Sequence, residues 1–78
     1  MPSIGERVRA RRHELGWGQM ELAYRAGITQ AKVSQIENAR KRGGIFAATL
    51  RDIALALDVS ADWLLGLSDD QTPKGLKK

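Results

Sequence analysis

The stretch that decides the fold is Gln19–Glu37, QMELAYRAGITQAKVSQIE. Its apolar residues recur at three- and four-residue spacings, the period of a helix with one buried face. Leu22, Ala23 and Ala26 make one inner face; Val33 and Ile36, with Ile28 just ahead, make another. Gly27 separates the two, and Thr29 stands where the second helix needs an N-cap. The spacing therefore predicts a helix from about Gln19 to Ala26, capped only by Gly18. A second runs from Thr29 to about Glu37 or Asn38. Two short helices meet at a tight glycine turn, and a small residue, Ala23, lies where the second must cross the first. That is a helix-turn-helix unit. Its second helix leaves Gln30, Ala31, Lys32, Ser34 and Gln35 on the outside.

The flanks read as supporting helices. Ser3 and Glu6 have the spacing of a capping box, Ile4, Val8 and Leu15 mark a stripe, and Gly16 ends that helix. Residues 38–46 form a loop carrying Arg40-Lys41-Arg42 and Gly43-Gly44. A fourth helix spans about Ala47 to Leu57, with Leu50, Ile53, Ala54 and Leu57 inward. A fifth starts after Ser60, packs Trp63 and Leu64, and stops at Gly66. The expected architecture is all-α: a compact five-helix domain over residues 1–67, then a flexible C-terminal tail over 68–78 that includes Lys74, Lys77 and Lys78.

Composition narrows the chemistry. The chain has 78 residues, no cysteine and one histidine, His13. A single domain of this size buries only about 60–65% of the surface its unfolded chain exposes, too little for an enclosed cofactor cleft. Disulfides, cysteine-based metal centres and a thiol nucleophile are excluded, and no cofactor is expected. Glu6, Glu14, Glu21 and Glu37 fall on separate helices, and no nucleophile–base pair is visible. An enzyme is therefore not expected. No apolar run is long enough to span a membrane, and the segment MPSIGERVRARR has no apolar stretch after its charges, so a cytoplasmic location is expected.

Charge is uneven along the chain. Residues 1–51 hold ten Lys/Arg against four Glu, a net of +6, whereas residues 52–70 hold five Asp and no base, a net of −5. One face suited to a polyanion and another turned away from it is the simplest layout for such a division. Arg7, Arg9 and Arg11 read as a solvated helix face, His13 and Tyr24 as surface residues, and Trp17 and Trp63 as core.

The chain resembles the helix-turn-helix family of lambdoid phage repressors and Cro proteins, the Xre family. The matching stretches are IGERVRARR (Ile4–Arg12), Leu15-Gly16, QMELA (Gln19–Ala23), GITQAKVSQIE (Gly27–Glu37), IALALDVS (Ile53–Ser60) and ADWLLG (Ala61–Gly66). The resemblance implies that the second helix of the unit is the recognition helix of the major groove. Gln30 and Gln35 then fall at base-reading positions, and a glutamine amide pairs with the N6/N7 edge of adenine. Ala31 and Ser34 share that face. Lys32, Gln19, Asn38, Arg40, Lys41 and Arg42 fall at positions that touch phosphates. Arg12 and Glu37 match a structural salt bridge between the first and third helices. Three departures from the family stand out: Ala39 stands where relatives often have glycine after the recognition helix, which would leave Asn38 to take the left-handed cap; Gly18 replaces the usual polar cap; and the loop after the recognition helix is longer than in compact relatives.

The function implied is a sequence-specific, double-stranded-DNA-binding transcriptional regulator, a repressor acting as a homodimer on a two-fold operator. Leu65 and Leu67 are the dimer-interface candidates, because one small core need not bury them. The alternative is an antitoxin-like module that binds a partner protein and represses its own promoter with the same fold.

Overall fold

Ser3 begins the first helix with a full capping box: its Oγ accepts from the Glu6 N–H at 3.1 Å, and the Glu6 carboxylate accepts from the Ser3 N–H at 2.9 Å. The computed structural model describes residues 3–38 and 47–73. Among the described residues the regular elements are five helices: α1 (Ile4–Glu14), α2 (Gln19–Ala26), α3 (Gln30–Asn38), α4 (Ala47–Leu57) and α5 (Ala61–Leu64).

The helices pack around one core. Val8, Leu22, Val33, Ile53, Leu57 and Leu64 are its fully buried large residues. Burying each such side chain contributes about 1.5–3 kcal/mol. The helix α1 packs against α3, α4 and α5, and α2 against α3 and α4. Trp63 is buried; Trp17 is half-buried against the edge of the core.

Helices α2 and α4 end in the same hydrogen-bond pattern. After α2, the Ile28 N–H donates to the Ala23 carbonyl at 3.0 Å and the Gly27 N–H to Tyr24 at 3.3 Å, with Gly27 at φ 73°. After α4, the Val59 N–H donates to Ala54 at 3.0 Å and the Asp58 N–H to Leu55 at 3.2 Å, with Asp58 at φ 59°. This is the Schellman closure, which needs a left-handed residue just past the helix. Glycine supplies it after α2 and sets the turn into α3; an aspartate, one of the few side chains that tolerates this conformation, supplies it after α4.

The arginines of α1 differ from the expectation of a solvated face. Arg7 lies over the Trp63 ring, 5.0 Å from its centroid. Arg11 donates Nε to the Leu57 carbonyl at 2.9 Å, closing the C-terminal end of α4, and also pairs with Glu14 at 3.1 Å. Arg9 reaches Glu37 and Asn38. The cause is the central position of α1. Its long side chains lay their stems on neighbouring helices; Arg9 and Arg11 find acceptors there, whereas Arg7 rests on an aromatic face with its buried Nε unpaired among the described residues.

The chain also stays with the domain past Leu67, where a flexible tail was expected to begin at Ser68. The Ser60 N–H donates to the Gln71 carbonyl at 2.9 Å and Ser60 Oγ to the Asp70 carbonyl at 3.4 Å. Pro73 lines a groove between α4 and α5 with Leu50, Ala54, Leu55 and Val59. Lys74, Lys77 and Lys78 lie outside the described residues.

Candidate nucleic-acid interface

The geometry of α3 follows from what holds its two ends. At the start, Thr29 Oγ1 accepts from the Lys32 N–H at 3.1 Å. At the finish, α1 presses its backbone against α3. A Cβ on Gly5 would lie 2.3 Å from the Ile36 carbonyl oxygen and 2.7 Å from that of Glu37, so only glycine permits this approach.

Beside that contact lies Glu37, 4% exposed. Arg12, also buried, donates Nε to Oε2 at 2.7 Å and Nη2 to Oε1 at 2.9 Å, a two-point pairing of guanidinium and carboxylate. Gln19 at the start of α2 donates Nε2 to Oε1 at 3.2 Å, and Arg9 Nε lies 3.5 Å from the same oxygen. Arg12 Nη1 donates to the Trp17 carbonyl at 2.8 Å. One carboxylate thus ties together α1, α2 and α3.

Burial alone would raise the Glu37 pKa. The hydrogen bonds from Arg12 and Gln19, with the Arg12 charge, outweigh it and hold the carboxyl below its ordinary value. The hydrogen bonds that Arg12 donates to Glu37 raise the Arg12 pKa against the opposing effect of burial, and the Glu37 charge adds to the rise. Both groups are therefore charged at neutral pH. A buried ion pair stabilises little compared with an apolar pair of the same volume, but stranding one member costs about 3–5 kcal/mol. Its value here is positional: it fixes the angle at which α3 leaves the domain.

The opposite side of α3 is open. Gln30, Ala31 and Gln35 are exposed, and the Gln30 and Gln35 side chains form no hydrogen bond to a described residue. Lys32 and Ser34 are half-buried at the edges of this face. Asn38, at its end, donates Nδ2 to Ser34 Oγ at 3.3 Å and accepts from Arg9 Nη2 at 3.2 Å. The structure thus brings Gln30, Ala31, Lys32, Ser34, Gln35 and Asn38 onto one element, whereas it places Gln19 behind them, half-buried on Glu37. Arg40, Lys41 and Arg42 lie outside the described residues. Leu65 and Leu67, 44% and 75% exposed, sit at and after the end of α5.

Two contributors escaped the sequence reading. Gly5 carried a faint signal: a glycine in the first turn of a well-capped helix costs about 0.5–1 kcal/mol against alanine and so calls for a packing reason. Arg9 carried none, since its partners are 28 and 29 residues away.

An all-helical domain that clamps one helix from behind and leaves its outer face free defines a repressor-like helix-turn-helix architecture. The chain belongs to the helix-turn-helix domain family, whose model it matches over residues 5–69, and within it to the phage-repressor and SinR type. It is 38% identical over 65 residues to the HTH-type transcriptional repressor RghR of Bacillus subtilis (strain 168), covering 83% of this chain and 47% of that one. The chain spans about half the length of the curated relatives it matches. Among solved structures, the P22 c2 repressor in complex with a synthetic operator matches with a TM-score of 0.76 and 32% identity, over 87% of this chain and all of that one. The SinR protein/SinI protein complex contains a chain that matches with a TM-score of 0.73 and 34% identity, over 80% of this chain and 59% of that one. Among the described residues no helix is long and apolar enough to cross a membrane.

Proposed function

We propose that this chain is the sequence-specific DNA-binding part of a transcriptional regulator, a repressor, that reads a two-fold operator as a homodimer. The observation that carries the reading is the outer face of α3, where Gln30, Ala31 and Gln35 stand exposed while the Arg12–Glu37 pair fixes the helix from behind. In this reading α3 enters the major groove. Gln30 and Gln35 present amides matched to adenine edges, Ala31 offers a methyl to thymine, and Ser34 approaches at the edge. Lys32, Asn38, Arg40, Lys41 and Arg42 meet phosphates. Gln19 holds Glu37 with one amide hydrogen and keeps the other for a phosphate, beside the uncapped N–H groups that begin α2. The likeness to a repressor solved on its operator supports this reading, as does the name of the RghR relative.

A small domain presents one recognition helix, so useful specificity calls for two copies. Leu65 and Leu67 are the proposed contact between them. Two-fold pairing places the half-sites about one helical turn apart, roughly 34 Å or ~10 bp. If each copy brings two to four cations to phosphates, log K falls with log salt at a slope of about −4 to −7. The deciding experiment is selection of bound sequences from a random duplex pool, followed by titration at several salt concentrations. A symmetric consensus with that slope supports the reading; a slope near zero or an unenriched pool overturns it.

The second reading is a module that also binds a partner protein and represses its own promoter. The likeness to a chain solved in the SinR protein/SinI protein complex favours it. Purification of a partner protein with the chain would support this reading, and its absence from tagged purifications at native expression would count against it.

A further inference from the structure

Ser34 stands on the edge of the α3 outer face, and its hydroxyl makes one hydrogen bond among the described residues, accepted from Asn38 Nδ2 at 3.3 Å. The direction of that bond is set from a distance. Asn38 Oδ1 accepts from Arg9 Nη2 at 3.2 Å, so its carbonyl faces the arginine and its NH2 group faces the serine. An arginine can only donate, which leaves the asparagine no choice of orientation. Arg9 is itself held, with Nε 3.5 Å from the buried Glu37 carboxylate. The relay therefore starts at a charge fixed in the core and ends at a hydroxyl on the surface.

We infer that Arg9, through Asn38, sets Ser34 as a hydrogen-bond donor toward DNA, making Arg9 a positioning residue and Ser34 a reader of acceptor atoms. A serine hydroxyl has one hydrogen and two lone pairs. Asn38 occupies a lone pair, and the hydrogen remains for an outside acceptor. In the major groove such acceptors are guanine O6 and N7, adenine N7 and thymine O4; on the backbone they are phosphate oxygens. A cytosine amino group, a donor alone, is the least suited partner. A free serine is indifferent between donating and accepting; this one is biased. The inference rests on the DNA-binding reading and refines it.

The test uses the full chain and a duplex obtained by selection, with a random duplex as control. Arg9→Leu, Ser34→Ala and the double variant are titrated against both, and each loss is taken as the ratio of selected to random binding. The ratio cancels the non-specific effect of removing a positive charge. Loss of one hydrogen bond lowers that ratio about threefold to tenfold. Arg9→Leu and Ser34→Ala should each do so, and the double variant should lose no more than Ser34→Ala alone, because both act through one bond. Independent losses that multiply, or an Arg9→Leu variant that binds as the parent does, overturn the inference.

Asn38→Asp gives a second measurement that does not depend on how the first variant folds. Its carboxylate still accepts from Arg9 but offers Ser34 an acceptor, drawing the hydroxyl hydrogen inward. The selected-to-random ratio should fall, and Asn38→Asp should add nothing in the Ser34→Ala background. An equal effect with and without the hydroxyl overturns the inference. Duplexes with 7-deazaguanine or 7-deazaadenine locate the base acceptor: the position that matters is the one whose modification costs the parent but not Ser34→Ala. Equal losses for Ser34→Ala on selected and random duplexes, with the ratio unchanged, would place the hydroxyl on a phosphate and overturn its role as a reader. If no duplex is selected at all, the DNA-binding reading fails; if one is selected and the losses multiply, this inference alone fails.

Discussion

Gly5 and Ile36 meet backbone to backbone: a methyl group on Gly5 would sit 2.3 Å from the Ile36 carbonyl oxygen. The contact brings the first turn of α1 against the last turn of α3 and leaves no room for a side chain. It sets how deeply α3 sits in the domain and so how far its outer face projects.

Gly5→Ala should therefore destabilise the fold, although alanine is the better helix former. Overpacking of this kind costs about 1–3 kcal/mol, against about 0.5–1 kcal/mol gained in helix propensity. Because the clash is with backbone, which yields little, the cost stands at the upper end of that range, and the net expectation is a loss of about 2 kcal/mol in urea unfolding. A variant as stable as the parent would show that α1 does not approach α3 so closely.

The depressed pKa of Glu37 predicts a defined pH dependence. A carboxylate held below its unfolded value, about 4.3, contributes stability that is complete above that pH. The contribution is lost as pH falls through the lower folded value. Glu37→Gln strands the buried Arg12 and should cost about 3 kcal/mol at pH 7. The gap between parent and variant should stay constant from pH 7 to about 5 and shrink below about 4. A gap that widens on acidification would contradict the sign of the shift.

Gln35 stands exposed on α3, outside the core. Gln35→Ala should cost about 1–3 kcal/mol on a selected operator and little on random DNA, with melting unchanged. Equal losses on both duplexes would mean that Gln35 does not read bases.

Leu65 and Leu67 expose much of their apolar surface. Leu65→Asp should shift sedimentation of the chain toward monomer, and it should weaken operator binding through lost pairing. A dimer of undiminished stability would move the contact elsewhere, with the groove between α4 and α5 the next surface to test.

The helices were legible because their ends are written locally. Ser3 with Glu6, Gly27 with Thr29, and Ser60 mark boundaries that the structure places within a residue or two of expectation. The face of α3 was legible for a similar reason: once Val33 and Ile36 point inward, Gln30, Ala31 and Gln35 point out. What stayed hidden depends on how the helices cross. The Gly5 contact needs the angle between α1 and α3. The inward turn of Gln19 needs Glu37 at a shared junction, and the engagement of Arg7, Arg9 and Arg11 needs the neighbours of a central helix. None of these has a periodic signature.

The clamp behind α3 and the open face in front of it share almost no residues. Arg12, Gln19, Glu37 and Gly5 hold the helix, whereas Gln30, Ala31 and Gln35 stand free of internal bonds. Within the nine-residue helix, Glu37 belongs to the clamp, and the residues proposed to read DNA take no part in it. If Gln30, Ala31 and Gln35 read DNA as proposed, a lineage built on this scaffold can acquire new targets by exchanging them at little thermodynamic risk. The Ser34–Asn38 pair is the seam where a new address would first be felt in the frame.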